Sequence, residues 1–377
     1  MDIKNAWLPG ALLSLFIGFS PSSFAGESGL KYLGEYSIPT SLSWKNVPFG
    51  GLSAIRWHEG ERRFYAISDS RNTPAEGKPR FYKLDIALAT SGIKDVVIEQ
   101  QYDLLNADNE AWKKGFVDAE GLVITPENQF LWTSEAGSPL RRSTLNGELI
   151  EDLSAIFPAG YLVDGKKEDP EGFRNGVSWE GLSFTPDSRY LYVAAEGALK
   201  QDGLLASPLN SSPSRILKFR YSRDTKKPVL EKSFLYNIDP VSHVSKFGIN
   251  DNGVSEILAL DENKFLVIER SGRNVSEGFN DWDFSVKVWL ADSSTSTNIK
   301  DINSLMQVKD RGVIQPVVKK LLIDFSDITS APDCIEGVTF GPLIDGKKTL
   351  LFVSDNNFQP HQNTKFYLFQ DVNNVLK

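Results

Sequence analysis

The sequence predicts an all-β fold: a single β-propeller of four-stranded blades, five in number. Three observations lead there. One hairpin recurs five times along the 377 residues, at intervals of roughly 60–80 residues. Two more strand-like runs follow each of the first four copies, and one follows the fifth. A strand with no partner of its own precedes the first copy. A propeller blade holds four strands. The stray N-terminal strand therefore supplies the one that the last blade lacks, and this joins the two ends of the chain into a closed ring. Six blades are the alternative, with a degenerate blade inside the insertion at 292–318. A pair of β-sandwiches is a third reading.

The hairpin is clearest at 177–196. Trp179-Glu-Gly-Leu-Ser-Phe is an apolar strand opened by an acid and a glycine. Thr185-Pro-Asp-Ser is a turn, and Tyr190-Leu-Tyr-Val-Ala-Ala is a second strand that ends on Glu196. Alternation and turn residues of this kind specify a β-hairpin. Antiparallel pairing brings the start of one strand beside the finish of the other, so Glu180 and Glu196 share the open end. The other copies are Gly50-Gly-Leu-Ser-Ala-Ile with Asp69, Asp118-Ala-Glu-Gly-Leu with Glu135, Asn252-Gly-Val-Ser-Glu-Ile with Glu269, and Asp333-Cys-Ile-Glu-Gly-Val with Asp355. The leading acids are thus Glu120, Glu180, Glu256 and Glu336, with Gly50 in that place in the first copy. The trailing acids are Asp69, Glu135, Glu196, Glu269 and Asp355.

The remaining elements follow in order. Residues 1–25 read as a secretory signal: Lys4 gives a weak positive start, 11–19 is apolar, and Ser23-Phe24-Ala25 suits a signal peptidase. The apolar run is shorter than the ~20 residues of a spanning helix. A periplasmic or secreted protein, cleaved near Ala25, is expected, and no later stretch is long and apolar enough to span a membrane. Strand 31–39 stands alone. Third and fourth strands are expected at 80–85 and 96–102, 140–145 and 148–153, 215–221 and 232–238, and 284–290 and 318–325, with a last third strand at 365–370. Loops are expected at 197–214 and 271–282, and a short helix at 302–308. Asn210-Ser-Ser and Asn274-Val-Ser match the glycosylation sequon, which carries meaning only in a eukaryotic host.

The formal net charge is -8 and is unchanged by cleavage, because Asp2 and Lys4 cancel. An acidic chain of this composition is not built for nucleic acid. The lone cysteine, Cys334, excludes an internal disulfide and sits in an apolar strand start as buried filler. A monomer is expected.

In a propeller the first strand of each blade lines the central channel. Leading and trailing acids then crowd one mouth, with Asp118, Asp251 and Asp333 beside them. Repulsion among so many carboxylates requires an offset. Hard oxygen ligands with only three histidines suit Ca²⁺ or Mg²⁺ rather than Zn²⁺. The metal ligands expected are Asp69, Glu120, Glu135, Glu180, Glu196, Glu256, Glu269, Glu336 and Asp355. Basic residues are the other offset. Arg71, Lys78, Arg80, Arg141, Arg142, Arg215, Arg270, Arg273 and Lys365 all fall between a trailing acid and the early third strand. Of these Arg80, Arg142, Arg215 and Arg270 are the expected clamps for a small anionic substrate, with bidentate guanidinium contacts to phosphate. Glu120, Glu180, Glu336 and the loop residue His361 are the candidate catalytic groups. The same acids would also recur if each one simply bonded the backbone or a base of the next blade. No nucleophile elbow, phosphate loop or His-Glu-x-x-His is present.

The motifs Asp118-Ala-Glu-Gly-Leu, Trp179-Glu-Gly-Leu-Ser-Phe-Thr-Pro-Asp and Cys334-Ile-Glu-Gly-Val, with Glu135, Glu196 and Asp355 at the strand ends, resemble the phytase-like domain family, named for an esterase-like activity of phytase. The resemblance runs from about Gly50 to Lys377. It implies an exported bacterial propeller whose repeated acids form its site, and, by analogy with propeller phytases, several Ca²⁺ ions holding a phosphate ester. The sequence departs from the pattern at Gly50 and at Ile257, where an acid and a glycine are expected. A metal-dependent phosphate-ester hydrolase is the first functional expectation. A non-catalytic ligand-binding propeller with structural Ca²⁺ and a lactonase- or esterase-like hydrolase are the others.

Overall fold

The computed structural model of the chain describes residues 29–162, 169–174, 176–277 and 281–377. The expected signal segment and its cleavage point lie outside the described residues. Five antiparallel four-stranded sheets form the blades. Blade one is Leu52–His58, Arg63–Ser68, Arg80–Ala89 and Gly92–Asp103. Blade two is Ala119–Ile124, Gln129–Ser134, Leu140–Thr144 and Leu149–Asp152. Blade three is Trp179–Phe184, Tyr190–Ala195, Ser212–Ser222 and Lys227–Ile238. Blade four is Gly253–Ala259, Lys264–Asn274, Trp282–Asp292 and Val318–Asp324. Blade five is Cys334–Ile344, Lys347–Asp355, Asn363–Asp371 and the N-terminal Leu30–Pro39. Leu30–Pro39 pairs antiparallel with Asn363–Asp371, so the first strand closes the last blade.

The insertion at 292–318 holds no blade. It forms two 3₁₀ turns, Leu305–Gln307 and Arg311–Val313, over a small apolar cluster of Ile299, Leu305 and Ile314. The segment expected as a loop at 271–282 is partly strand, since the second and third strands of blade four pair out to Asn274 and Trp282. In the Thr-Pro turns, Thr125 and Thr185 accept the N–H of Asn128 and Ser188 at 3.0 and 2.7 Å, and both donors sit at positive φ.

Successive side chains of a strand point to opposite faces, and both faces of a blade pack on neighbours. That is why runs such as Phe64–Ile67 and Leu350–Val353 are apolar throughout. Among the described residues the core between the blades is accordingly divided into five clusters, one between each adjoining pair. Tyr65, Phe81, Phe130 and Trp132 join blades one and two; Phe352, Leu266 and Ile268 join blades four and five.

Each inner strand carries one extra residue near its start, where the register to its partner slips. Such a bulge re-aims a side chain. The position two residues before the matched inner-strand residues Leu122, Leu182, Leu258 and Val338 is Glu120, Glu180, Glu256 and Glu336. In blade one the matched residue is Ile55, so the position belongs to buried Ser53, not to Gly50. Gly50 and Gly51 have a different task. Both lie at positive φ, and a Cβ on them would strike Asn356 and Asp69 respectively.

The glycine after the bulged acid is a matter of space. A Cβ on Gly121 would stand 2.4 Å from the Glu180 carbonyl oxygen, one on Gly181 2.6 Å from the Ile257 nitrogen, and one on Gly337 3.1 Å from Ala54 Cα. The inner strands of adjoining blades touch there, backbone to side-chain position. We expect Gly121→Ala to destabilise the protein by about 1–3 kcal/mol, because the neighbouring backbone cannot yield freely; urea unfolding measures it, and an unchanged midpoint would contradict this close approach.

Candidate functional site

Bulge and strand end bring carboxylates from several blades to one face around the axis. Asp118, Glu120 and Glu135 each place an oxygen within 4.8 Å of the others, and Glu135, Glu180 and Glu196 do the same. Glu135 belongs to both triads and so couples blade two to blade three. Its Oε1 also accepts the N–H of Ser178 at 2.9 Å, which fixes its direction. Beyond Glu196 the chain of acids continues through a base. Arg270 lies 3.2 Å from Glu196, 3.4 Å from Glu336 and 3.9 Å from Asp251. On the opposite flank Arg71 lies 3.7 Å from Asp118 and 3.1 Å from Glu76.

The electrostatics match this crowding. Burial, and then Asp118, pushes the Glu120 carboxyl well up. Burial followed by Glu120 does the same to Glu180, and burial followed by Glu135 to Glu196. Asp69 is raised by burial and by Asp355. Burial raises Glu135 and Glu336. Asp118 is pushed up to about 7, mainly by burial, and Asp355 to about 8 by burial and Glu336. Left to themselves, these groups hold protons because charge has nowhere to go. The buried oxygens Glu196 Oε2 and Asp69 Oδ1 have no hydrogen-bond partner among the described residues. An all-oxygen donor set with unpartnered buried oxygens fits a hard divalent cation. Acidic clusters here can hold a metal ion.

Not every expected residue is brought to this mouth. Glu256 pairs with Arg56 at 2.7 Å and accepts the N–H groups of Leu182 and Ile257, so both of its oxygens are committed. Arg56 also donates to the Leu182 and Val338 carbonyls from blades three and five, so the pair binds four blades together around the axis. Glu269 accepts from Tyr236 Oη at 2.8 Å and from the Asp239 N–H, and pairs with Lys319. The fourth blade therefore sends neither of its two expected acids to the cluster; it contributes Asp251 and Arg270 instead.

Of the four expected clamps only Arg270 stands at the mouth. Arg80 is fully buried and donates to the carbonyls of Pro48, Glu76 and Lys78. Arg142 is spent on Glu151 and the Lys226 carbonyl. Arg215 is fully buried and donates two hydrogen bonds to Asp202, at 2.6 and 2.9 Å, and holds the insertion through the Ile302 carbonyl. His361 is exposed, and its ring lies 3.9 Å from Asp281, outside the cluster. Asp333 is neutralised by Lys365 at 2.9 Å. Arg71 is a mouth residue that sequence reasoning noted among the basic residues without selecting; only its contact with Asp118 distinguishes it. Cys334 is buried as expected, yet its thiol donates to Glu336 at 3.2 Å.

Comparison with known proteins adds the following. The sequence profile of the phytase-like family, described as esterase-like activity of phytase, matches residues 47–358. An uncharacterized secreted protein of Arthroderma benhamiae is 26% identical over 175 residues, which cover 41% of this chain and 34% of the relative. The match thus spans about a third of that relative's length. Among solved structures, the N-terminal domain of Nup159 overlaps 90% of this chain and 95% of its own at 12% identity and a TM-score of 0.35. The periplasmic gluconolactonase PpgL of Pseudomonas aeruginosa overlaps 86% and 87% at 9% identity and a TM-score of 0.36. Neither likeness bears on chemistry.

The raised carboxyls give the mouth a definite pH response. An unfolded chain releases carboxyl protons near pH 4, whereas Asp118 and Asp355 hold theirs to about 7 and about 8 in the fold. Between those values the folded chain binds more protons than the unfolded one. Their contribution to stability is full below about pH 4 and is lost as pH rises through 7–8. In EDTA the melting temperature should therefore fall from pH 5 to pH 8, and excess Ca²⁺ should remove that fall by binding the ionised, folded state. A melting curve at pH 8 that ignores Ca²⁺ and Mg²⁺ would exclude a cation at this mouth.

Proposed function

The chain belongs to the phytase-like domain family, and on that premise we propose that it is an exported, cation-dependent hydrolase of phosphate esters. The observation that carries the reading is the pair of carboxylate triads sharing Glu135, with the guanidinium of Arg270 directly beside them. Ca²⁺ is the better match to so many oxygens, since Mg²⁺ prefers few carboxylates and several waters. Asp118, Glu120, Glu135, Glu180 and Glu196 would hold the ions. A bound cation supplies Lewis-acid polarisation of the phosphoryl group and neutralises its charge.

The protein's own groups divide the remaining work. Arg270 is held in place by Glu196, Glu336 and Asp251 and presents its guanidinium toward an incoming phosphate. Glu336 lies outside both triads, steadied by Arg270 Nε and the Cys334 thiol, and is the carboxylate left to orient the attacking water. Asp69 and Asp355 add negative charge on the far flank and strengthen cation binding. Arg56 and Glu256, paired and buried, tie the inner strands together and leave the cation site to the other acids. The secreted relative and the predicted leader are the support for export.

A second reading has its own observation. Glu120, Glu180 and Glu196 are each less than a tenth exposed, as ligands of a purely structural ion would be. The two readings separate in one set of measurements. For the hydrolase, Glu336→Gln should lower kcat on a phosphomonoester or phosphodiester by about 10²–10⁴-fold while leaving metal content intact. Glu135→Gln should lose metal and activity together. If purified protein with Ca²⁺ or Mg²⁺ turns over neither phosphate esters nor carboxylic esters and lactones, yet gains stability from the ion, the mouth is a structural metal site in a binding propeller.

A further inference from the structure

A cleft of about 210 Å³ opens beside the acidic mouth, between blade four and the loop that leads into blade five. Its walls differ from the mouth in kind. Ser271, Ser285 and Thr329 present hydroxyls, Phe284 gives an apolar side, and Arg273 and Asp283 stand side by side. Arg273 Nε and Nη2 both reach Asp283 Oδ2, at 2.9 and 2.5 Å, so the two charges cancel. About a third of the Arg273 side chain and nearly half of Asp283 remain open to solvent.

We propose that this cleft binds the sugar portion of the substrate, making the preferred ester a sugar carrying few phosphates rather than a polyphosphorylated one; this rests on the hydrolase reading above. A hydroxyl both donates and accepts, and Ser and Thr hydroxyls return the same bonds. A paired guanidinium and carboxylate offers donors beside acceptors, which suits neighbouring hydroxyls of one ring. The Phe284 ring, stacked beside Trp282 at 6.4 Å between centroids, gives an apolar face for C–H groups. Neutralised charge does not attract an anion. The volume lies below the ~300 Å³ at which drug-sized pockets begin, which leaves room for about one ring.

The cleft is joined to the mouth by direct bonds. Gly272 N–H donates to Asp251 Oδ1 at 2.7 Å, and Ser271 Oγ donates to the Asp251 carbonyl at 2.7 Å. Asp251 in turn lies 3.9 Å from Arg270. On this proposal the ring's phosphate substituent extends past Asp251 toward Arg270 and the carboxylates. A second, smaller recess of about 120 Å³ shares Ser271 and Ser285 and extends the polar surface along blade four.

The test uses the full mature chain loaded with Ca²⁺. Neutral monosaccharides and their methyl glycosides are titrated by ligand-observed NMR and by Trp fluorescence. At least one should bind with a dissociation constant of about 1 mM or tighter. Ser330→Trp, which fills the cleft from an exposed turn, and Arg273→Gln, which removes the fork, should each weaken that binding about tenfold or more. The same variants should lower kcat/KM for a hexose phosphate relative to p-nitrophenyl phosphate by a similar factor. The cleft proposal is overturned if no sugar binds, if binding survives both variants, or if the two esters lose rate equally. Sugar binding without any ester turnover would uphold the cleft and overturn the hydrolase reading alone.

Discussion

Five inner strands meeting around one axis leave almost no lateral room, and most of what is distinctive here follows from that crowding. At the level of Gly121, Gly181 and Gly337 the backbone of one blade touches the next, so a side chain cannot be housed. The bulge one step earlier turns its residue toward the axis instead of into the interblade core. Acid and glycine are therefore two halves of one solution: the glycine lets the blades close, and the bulge hands the acid to the centre. Where the motif lapses, in blade four, Ile257 packs into the interblade core and Glu256 is consumed by Arg56.

The crowding has an electrostatic cost that sets the chemistry of the mouth. Carboxylates from blades one, two, three and five, with Asp251 from blade four, face two guanidiniums, Arg71 and Arg270. Burial removes the water that would otherwise screen them, so protonation or a cation must make up the difference. Folding alone does not require such an arrangement. Elsewhere buried charges are met by a single opposite charge, as with Arg215 and Asp202 or Arg56 and Glu256, or by carbonyls, as with Arg80. The mouth is the place where that economy is broken, and this is the physical ground for reading it as a ligand site.

Much of the fold could be read directly from residue order. The five hairpins, their strand pairs and the closing role of 31–39 all follow from alternation and turn residues, which act locally. The site was only partly legible. Acids at both ends of the hairpin announced a shared face, because antiparallel pairing leaves no other arrangement. The arginines misled: Arg80, Arg142 and Arg215 lie in the right segment of each blade, yet each folds back to satisfy carbonyls or acids that the bend itself buries. Chain position locates a residue on a face but says nothing about which nearby group its side chain will reach first.

The residue order by itself determined the repeat, the blade number and the meeting of acids around one opening, since hairpin pairing and ring closure depend on local pattern and copy count. Tertiary structure alone decided which acids remain uncommitted. Ser53 rather than Gly50 holds the first blade's leading place because Ile55 pairs with Ala66, three residues before Asp69, just as Leu122 pairs with Trp132, three before Glu135. Glu256 left the cluster because Arg56, from blade one, comes within bonding distance only once the ring has closed, and Glu269 because Lys319, two strands away in its own blade, pairs with it. Charge balance at a buried site is a property of neighbours in space, whether they come from another blade or from another strand of the same one.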